Sequence, residues 1–510
     1  MFSSSPYGAR RAKPAWLVDV VLLLAAIGVG VWARLHDLDA ESIWLDEATT
    51  FERARFALDE LVSNTVAKLH IPTYFVFMHY FLQLGDDEWM MRLPSALFGM
   101  AKLPLIAAAG WVVGGPRVAV PATLMLALAP AHIRYDQEAR MYAMQTFGTC
   151  LALVGQVWIV VHPCDAVRCT PWAWLRGNDI EGSSRAARIA WLGWIAGVVL
   201  ALYAHNTSAL YLVAASCAMV MLFASNEDLR WRLLLHWVIA NLVVLVLWAP
   251  WLPTLLAQTQ TDRFVGRAWG GVPSVERVLK EASYLFLGAR GAVPIKWLML
   301  ALGALGVWHL RSRRVLLVVL LLLAVMSPGL VWLISLKKPM FMPRILLWGG
   351  PAYYVLAACG VAALRWRAIQ LVTLALLMWF GVQELDRTYY KQVIKTDWRR
   401  IAQELSTHTG PEVLVLTNSF KEERVLSYYA ERHTDPFVLP RVVRADSWEA
   451  RKRSAKLLAG KRDVYFTFGS RVQDTPSIIR IVEKRGRLLS EVHVEGGARL
   501  RHYALRSMTD

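Results

Sequence analysis

Apolar residues run along this chain in long uninterrupted blocks, not in the alternating or half-helix patterns of a soluble core. Such blocks fall near 15–35, 93–113, 117–133, 142–161, 189–205, 207–225, 233–253, 294–310, 315–336, 345–364 and 368–384. Roughly 20 apolar residues in an α-helix cross the ~30 Å of hydrocarbon in a bilayer, so the pattern predicts eleven transmembrane helices. The block "IPTYFVFMHYFLQL" at 71–84 would reach only about 21 Å. It is expected to lie along the interface as a juxtamembrane helix. Two crossings then separate Asp46 from Asp136, which puts both on the same side.

The polar stretches set the orientation. "RWR" (230–232), "RSRR" (311–314), "RWR" (365–367) and the Arg-bearing loop 162–188 all fall on one side, the cytoplasmic side by the positive-inside rule. The N-terminus, with Arg10, Arg11 and Lys13, shares it. The first block exceeds the apolar region of a signal peptide and reads as an uncleaved helix. Lys102 is discordant, because a lysine inside a span is costly unless it snorkels or faces protein.

After about residue 384 the pattern changes. "EVLVL" (412–416) and "DVYFTF" (463–468) read as buried strands, and 397–407, 419–431 and 446–458 carry helical periodicity. The expected architecture is a polytopic α-helical membrane domain over 1–384 and a small soluble α/β domain over 385–510, on the non-cytoplasmic side.

Composition agrees: 56% of the 510 residues are hydrophobic and 23 are Trp, which excludes a single soluble domain. The formal charge of +17 does not imply nucleic acid, because Lys and Arg sit in short clusters between apolar blocks. The five cysteines avoid the C-terminal segment and read as free thiols.

Candidate chemistry begins at "ESIWLDEATT" (41–50), which sets Asp46 and Glu47 beside a bilayer that disfavours charge. The plain alternative is an interfacial helix with Asp46 as its N-cap. A second acidic stretch, "RYDQEARMYAM" (134–144), returns to the same face. If it is helical, Asp136 and Arg140 pair at i and i+4 with Glu138 turned away. "LKKPMFMPRILLWGG" (336–350) puts Lys337, Lys338 and Arg344 at outer span ends, against the positive-inside trend. A lipid phosphate suits them, since the planar fork of Arg matches phosphate oxygens. The loop 254–293 reads either as a lid or as a plain connector, and His205 and Asn206 cap an outer span end.

The order of these pieces resembles a known family. The early Asp-Glu pair, "HIPTYFVFMHYFLQLG", "RLPSALFG", "QEARMYAM" and "PRILLWGGPAYYVLA" are similar to the polyprenyl-phosphate-sugar-dependent glycosyltransferases of the GT-C superfamily. The likeness is nearest to bacterial protein O-mannosyltransferase-like members and the related aminoarabinose transferase that modifies lipid A. It covers roughly 15–400 and implies a GT-C fold. It also implies inverting transfer of a sugar from a polyprenyl-phosphate donor to a glycolipid, polysaccharide or protein acceptor, at the periplasmic face of the bacterial inner membrane. Carried over by position, Asp46 is the general base and Glu47 its companion. Asp136 is the second-loop acid, and Glu138 completes the catalytic set. His70, Arg140, Arg344, Lys337 and Lys338 are the donor-phosphate contacts. Where many relatives have His-Pro-Pro, this chain has His70-Ile71-Pro72. No cofactor or metal is assigned, although the four acids leave a divalent cation open. The rival reading is a transporter or flippase of a lipid-linked or anionic substrate.

Overall fold

The structure is a computed structural model that describes residues 13–68, 70–168, 182–220, 227–260, 272–288, 290, 293–337, 341–408, 410–432, 437–468 and 476–506. The chain divides into two compact units. The first comprises Met1–His36, Ser95–Gln137 and Met141–Thr388, and the second comprises Asp37–Pro94, Glu138–Arg140 and Tyr389–Asp510.

The first unit is helical and spans a membrane. Among the described residues eight helices are long and apolar enough to cross: Trp16–Leu35, Glu88–Gly114, Tyr142–Val161, Arg185–Ala204, Trp231–Ala257, Arg314–Lys337, Pro343–Ala362 and Arg367–Tyr390. All eight match expected blocks, and the other three take less regular forms. The block 117–133 is a broken pair, Pro116–Ala127 and Pro130–Asp136, bent by 61°. Pro130 opens the second helix, and its missing N–H and fixed φ fit a helix start but interrupt a continuous helix. The block 207–225 is helical over Ser208–Val220, with 221–226 outside the described residues, and 294–310 forms the shorter helix Pro294–His309. Small residues let the spans approach closely. A Cβ on Gly148 would lie 2.7 Å from the Gly197 carbonyl oxygen, and one on Gly197 would lie 2.6 Å from that of Gly148.

The second unit is built on a five-stranded sheet of order β2-β1-β3-β5-β4, with β1 Val413–Thr417, β2 Arg441–Arg444, β3 Asp463–Phe468, β4 Gly486–His493 and β5 Arg499–Leu505. β1 lies parallel to β2 and β3, while β5 is antiparallel to β3 and β4. Every residue of β1 is buried, as expected of a central strand covered on both faces. Alternation divides it. Leu414 and Leu416 join Val464, Phe466, Ile478 and Val482 on one face, and Val413 and Val415 join Ile401, Leu405, Val425 and Leu426 on the other.

The second face is also covered by residues 37–94, through Ile43, Ala48, Phe51 and Met91, and by Ala139 of the 138–140 stretch. Residues 37–94 therefore belong to the same compact unit as the C-terminal segment, whereas the sequence draws the boundary at 384. The block 71–84 forms the short helix Thr73–Phe81. The expected helix 446–458 is two short ones, Trp448–Lys452 and Ser454–Leu458. Neither β2, β4, β5 nor the Ser477–Arg485 helix is foreseen from the sequence.

Candidate active site

In the second unit the site grows from the helix Leu45–Ala54. Trp44 is its N-cap residue, not Asp46. Glu47, at the third helical position, reaches back to accept from the Trp44 amide at 3.2 Å, the reciprocal half of a capping box. Successive residues on a helix diverge by about 100°, so the adjacent acids face different surroundings.

Glu47 is fully buried. Arg92 grips it with two parallel bonds of 3.0 Å, Lys395 Nζ donates at 3.1 Å and the Ala139 amide at 3.0 Å. Burial alone would raise the Glu47 carboxyl, but the charges of Arg92 and Lys395 outweigh it and bring the group down to about 2. Arg92 is in turn saturated by the carbonyls of Leu38, Glu41 and Ser42. Burial, and then Arg92, lower Lys395, while Glu47, Glu138 and Glu41 oppose them. Glu47 is therefore a cross-link between the first loop, the 138–140 stretch and the C-terminal segment.

Asp46 is different. Its side chain retains 14% of its surface, and its carboxylate pairs with Lys421 Nζ at 2.6 Å. Arg140 donates to the Asp46 carbonyl at 3.3 Å and to Thr50 Oγ1 at 3.1 Å. The expected Asp136–Arg140 helical pair does not form, because the helix ends at Asp136 and residues 137–140 are bends. Glu138 is buried in the second unit. His70 is half-buried at the entry to the Thr73–Phe81 helix, its amide bonded to the Thr65 carbonyl at 2.9 Å.

In the first unit Asp136 is 1% exposed and lies between two cations: Arg34 Nε at 2.8 Å and Lys102 Nζ at 2.6 Å. Thr146 accepts from Lys102 at 3.0 Å, so the discordant lysine faces protein. Arg34 also donates to the Leu126 and Ala127 carbonyls, at the helix break, where the regular ladder of backbone bonds ends and the Ala129 amide reaches Leu126 at only 3.4 Å. A cation at a helix C-terminus complements the dipole there. Gly99 makes room, since a Cβ there would lie 2.5 Å from Asp136 Cγ.

Arg344 is the second residue of the short 3₁₀ helix Pro343–Gly349 and lies over the Tyr142 ring at 5.4 Å. Tyr142 also contacts His205, whose Nδ1 is 2.8 Å from Thr207 Oγ1, and Asn206 accepts from Trp251. Lys337 is the exposed last residue of Arg314–Lys337. Lys338 lies outside the described residues, as does 261–271 of the expected lid.

Sequence reasoning missed Arg34, Arg53, Arg92, Lys395, Lys421 and Arg424. Arg34 and Arg92 carried a signal, each being a charge at the end of an apolar block. The others are surface-like in sequence and acquire partners only through the fold. Among the described residues no group of three or more His, Cys, Asp or Glu is placed to hold a metal ion. The acids at 46, 47 and 136 each face a lysine or arginine, an arrangement that opposes a divalent cation.

No family model matches the sequence, and no curated protein does. Among solved structures the chain is similar to ArnT from Cupriavidus metallidurans in the apo state, with a TM-score of 0.57 and 13% identity over 96% of this chain and 98% of that one. It is similar to the Archaeoglobus fulgidus oligosaccharyltransferase tethered with an acceptor peptide, with a TM-score of 0.51 and 11% identity over 89% of this chain and 69% of that one. The same organism's oligosaccharyltransferase AglB, in complex with an inhibitory peptide and a dolichol-phosphate, gives 0.52 and 12% over the same shares, 89% and 69%. The likeness is one of fold: this chain is a polytopic α-helical membrane protein of the GT-C fold with a small C-terminal sheet domain.

Proposed function

We propose that the chain is an inverting glycosyltransferase, a hexosyl- or pentosyltransferase, that moves a sugar from a polyprenyl-phosphate donor to an envelope glycolipid, polysaccharide or protein. It acts at the periplasmic face of the bacterial inner membrane, with the N-terminus cytoplasmic and the C-terminal domain periplasmic. GT-C structures with a dolichol-phosphate or an acceptor peptide bound support a lipid-linked donor and a macromolecular acceptor. The observation that carries the reading is the inequality among the acids. Of Asp46, Glu47, Asp136 and Glu138, only Asp46 keeps an accessible carboxylate, and the other three are buried.

Inverting transfer needs one carboxylate that takes the acceptor's proton as the glycosidic bond to phosphate breaks. Asp46 has the exposure for this task. Lys421 orients its carboxylate, and Arg140 fixes its backbone. The departing phosphate needs cations more than it needs an acid. Arg344, stacked on Tyr142, fits that role, and His70, Arg140, Lys337 and Lys338 remain proposed donor contacts. One observation favours the transporter alternative, the intramembrane Arg34–Asp136–Lys102 cluster, since buried charges in spans often mark transport paths. Asp136 pairs with both cations, Thr146 accepts from Lys102 and Arg34 caps a helix break, which accounts for the cluster without a permeant.

The test is Asp46→Asn assayed for sugar transfer in membranes. Activity is expected to fall by about 10² or more, while thermal stability changes by less than about 1 kcal/mol, because a part-exposed ion pair contributes little. Full activity in this variant would remove Asp46 as the base.

A further inference from the structure

Arg53 is the unexplained residue of the second unit. It is 5% exposed, its Nε has no hydrogen-bond partner among the described residues, and its guanidinium lies over the face of Phe75 at 5.1 Å. Among the described residues no carboxylate forms an ion pair with it. A buried guanidinium left this way is costly in the free protein, and strain of that kind is tolerated where a ligand relieves it.

The surroundings are strongly cationic. Burial, followed by the charges of Arg140 and Arg424, depresses Arg53 to about 10. Exposed Lys68 is lowered by burial and by the same Arg53 and Arg424. The acids that act on Arg53 are Glu52 and Asp46, and both are already engaged: Glu52 with Arg424 at 2.8 Å and Asp46 with Lys421 at 2.6 Å. Glu52 and Asp46 are thus each held by another cation, and among the described residues neither forms an ion pair with Arg53.

Arg53 is seven residues after Asp46 on the Leu45–Ala54 helix, so the two share a face with Thr49 and Thr50 between them. Their Cα atoms are roughly 10 Å apart along the axis. Helical side chains lean toward the N-terminus, which points Arg53 back toward the carboxylate.

We propose that Arg53, Lys68 and Arg424 form a subsite for an oxyanion, a phosphoryl or carboxylate group, carried by the acceptor beside its reacting hydroxyl. The binding of an anion here follows from the charges. Its assignment to the acceptor rests on Asp46 being the base. In an inverting displacement the nucleophile and the leaving phosphate lie on opposite faces of the sugar, so the cations near the base that are not assigned to the donor, Arg53, Lys68 and Arg424, are assigned to the acceptor. The planar fork of Arg53 matches two oxygens of such a group.

The experiment uses the full chain in detergent and follows thermal unfolding with and without inorganic phosphate, for wild type, Arg53→Met, Arg53→Lys and Arg344→Gln. Phosphate is expected to raise the Tm of the wild type and of R344Q. R53M should unfold at or above the wild-type temperature without phosphate and show no rise with it, and R53K should respond in part. A wild type indifferent to tens of millimolar phosphate overturns the site, as does an R53M variant that responds like wild type. A response lost equally in R344Q assigns the anion to the donor and overturns the acceptor assignment. With an active transferase, R53M should raise the acceptor KM about tenfold and leave the donor KM unchanged. Sodium acetate in place of phosphate separates the carboxylate from the phosphoryl class. If no polyprenyl-phosphate sugar is transferred by the wild type, the transferase reading fails while the phosphate response still stands.

Discussion

Asp46 and Glu47 are neighbours in sequence with opposite roles, and one helical step explains why. Glu47 turns into protein and binds Arg92, Lys395 and two backbone amides, whereas Asp46 turns toward a part-exposed lysine. Replacing Glu47 with Gln leaves two buried cations without their anion, a loss of about 3–5 kcal/mol for a broken buried pair. Thermal unfolding of E47Q in detergent should show a large drop in Tm, and a wild-type Tm would refute the cross-link role. The pH dependence has a definite sign. Glu47 titrates at about 2 when folded against a reference of 4.5. The stability it contributes is therefore fully present above 4.5 and is lost as pH falls from 4.5 toward 2.

At the scale of elements, the break between Pro116–Ala127 and Pro130–Asp136 is the feature a hydropathy reading smooths over. A broken helix inside a membrane exposes carbonyls that water cannot reach. Here Arg34 takes two of them, and Asp136 pairs with both Arg34 and Lys102. Asp136→Asn should therefore destabilise the protein by about 3–5 kcal/mol, read as loss of monodisperse protein after heating in detergent. Asp136→Asn combined with Lys102→Met should recover part of that loss by removing the stranded cation. If D136N alone behaves as wild type, the cluster does not hold the break.

At the scale of the whole molecule, the covalent order of the chain and its compact units differ. Residues 37–94 and 138–140 fold with 389–510, and their apolar side chains cover one face of the sheet. A fragment of residues 389–510 expressed alone should leave that face bare. Aggregation, or dye binding typical of exposed apolar surface, is expected. Adding the 37–94 segment in trans should reduce it. A monodisperse, cooperatively folding 389–510 fragment would show that the loop is dispensable to the core.

The apolar blocks alone determined that this is a membrane-spanning helical protein, because hydrocarbon demands about 20 apolar residues per crossing and leaves a long-range signature. They also located the eight helices long enough to cross, the broken pair, the shorter helices Ser208–Val220 and Pro294–His309, the helix Thr73–Phe81 and two central strands, where burial on both faces makes the sequence uniformly apolar. The acids at 46, 47, 136 and 138 stood out for the same reason, as charges in an apolar context. Only the tertiary structure decided which acid is a cross-link and which remains accessible. That depends on Arg92, Lys395, Lys421, Arg34 and Lys102, which come from distant parts of the chain and whose spacing carries no periodic signal. The edge strands β2 and β4, half exposed, were illegible on similar grounds: their pairing is with residues far away in sequence, and their own pattern is that of a surface.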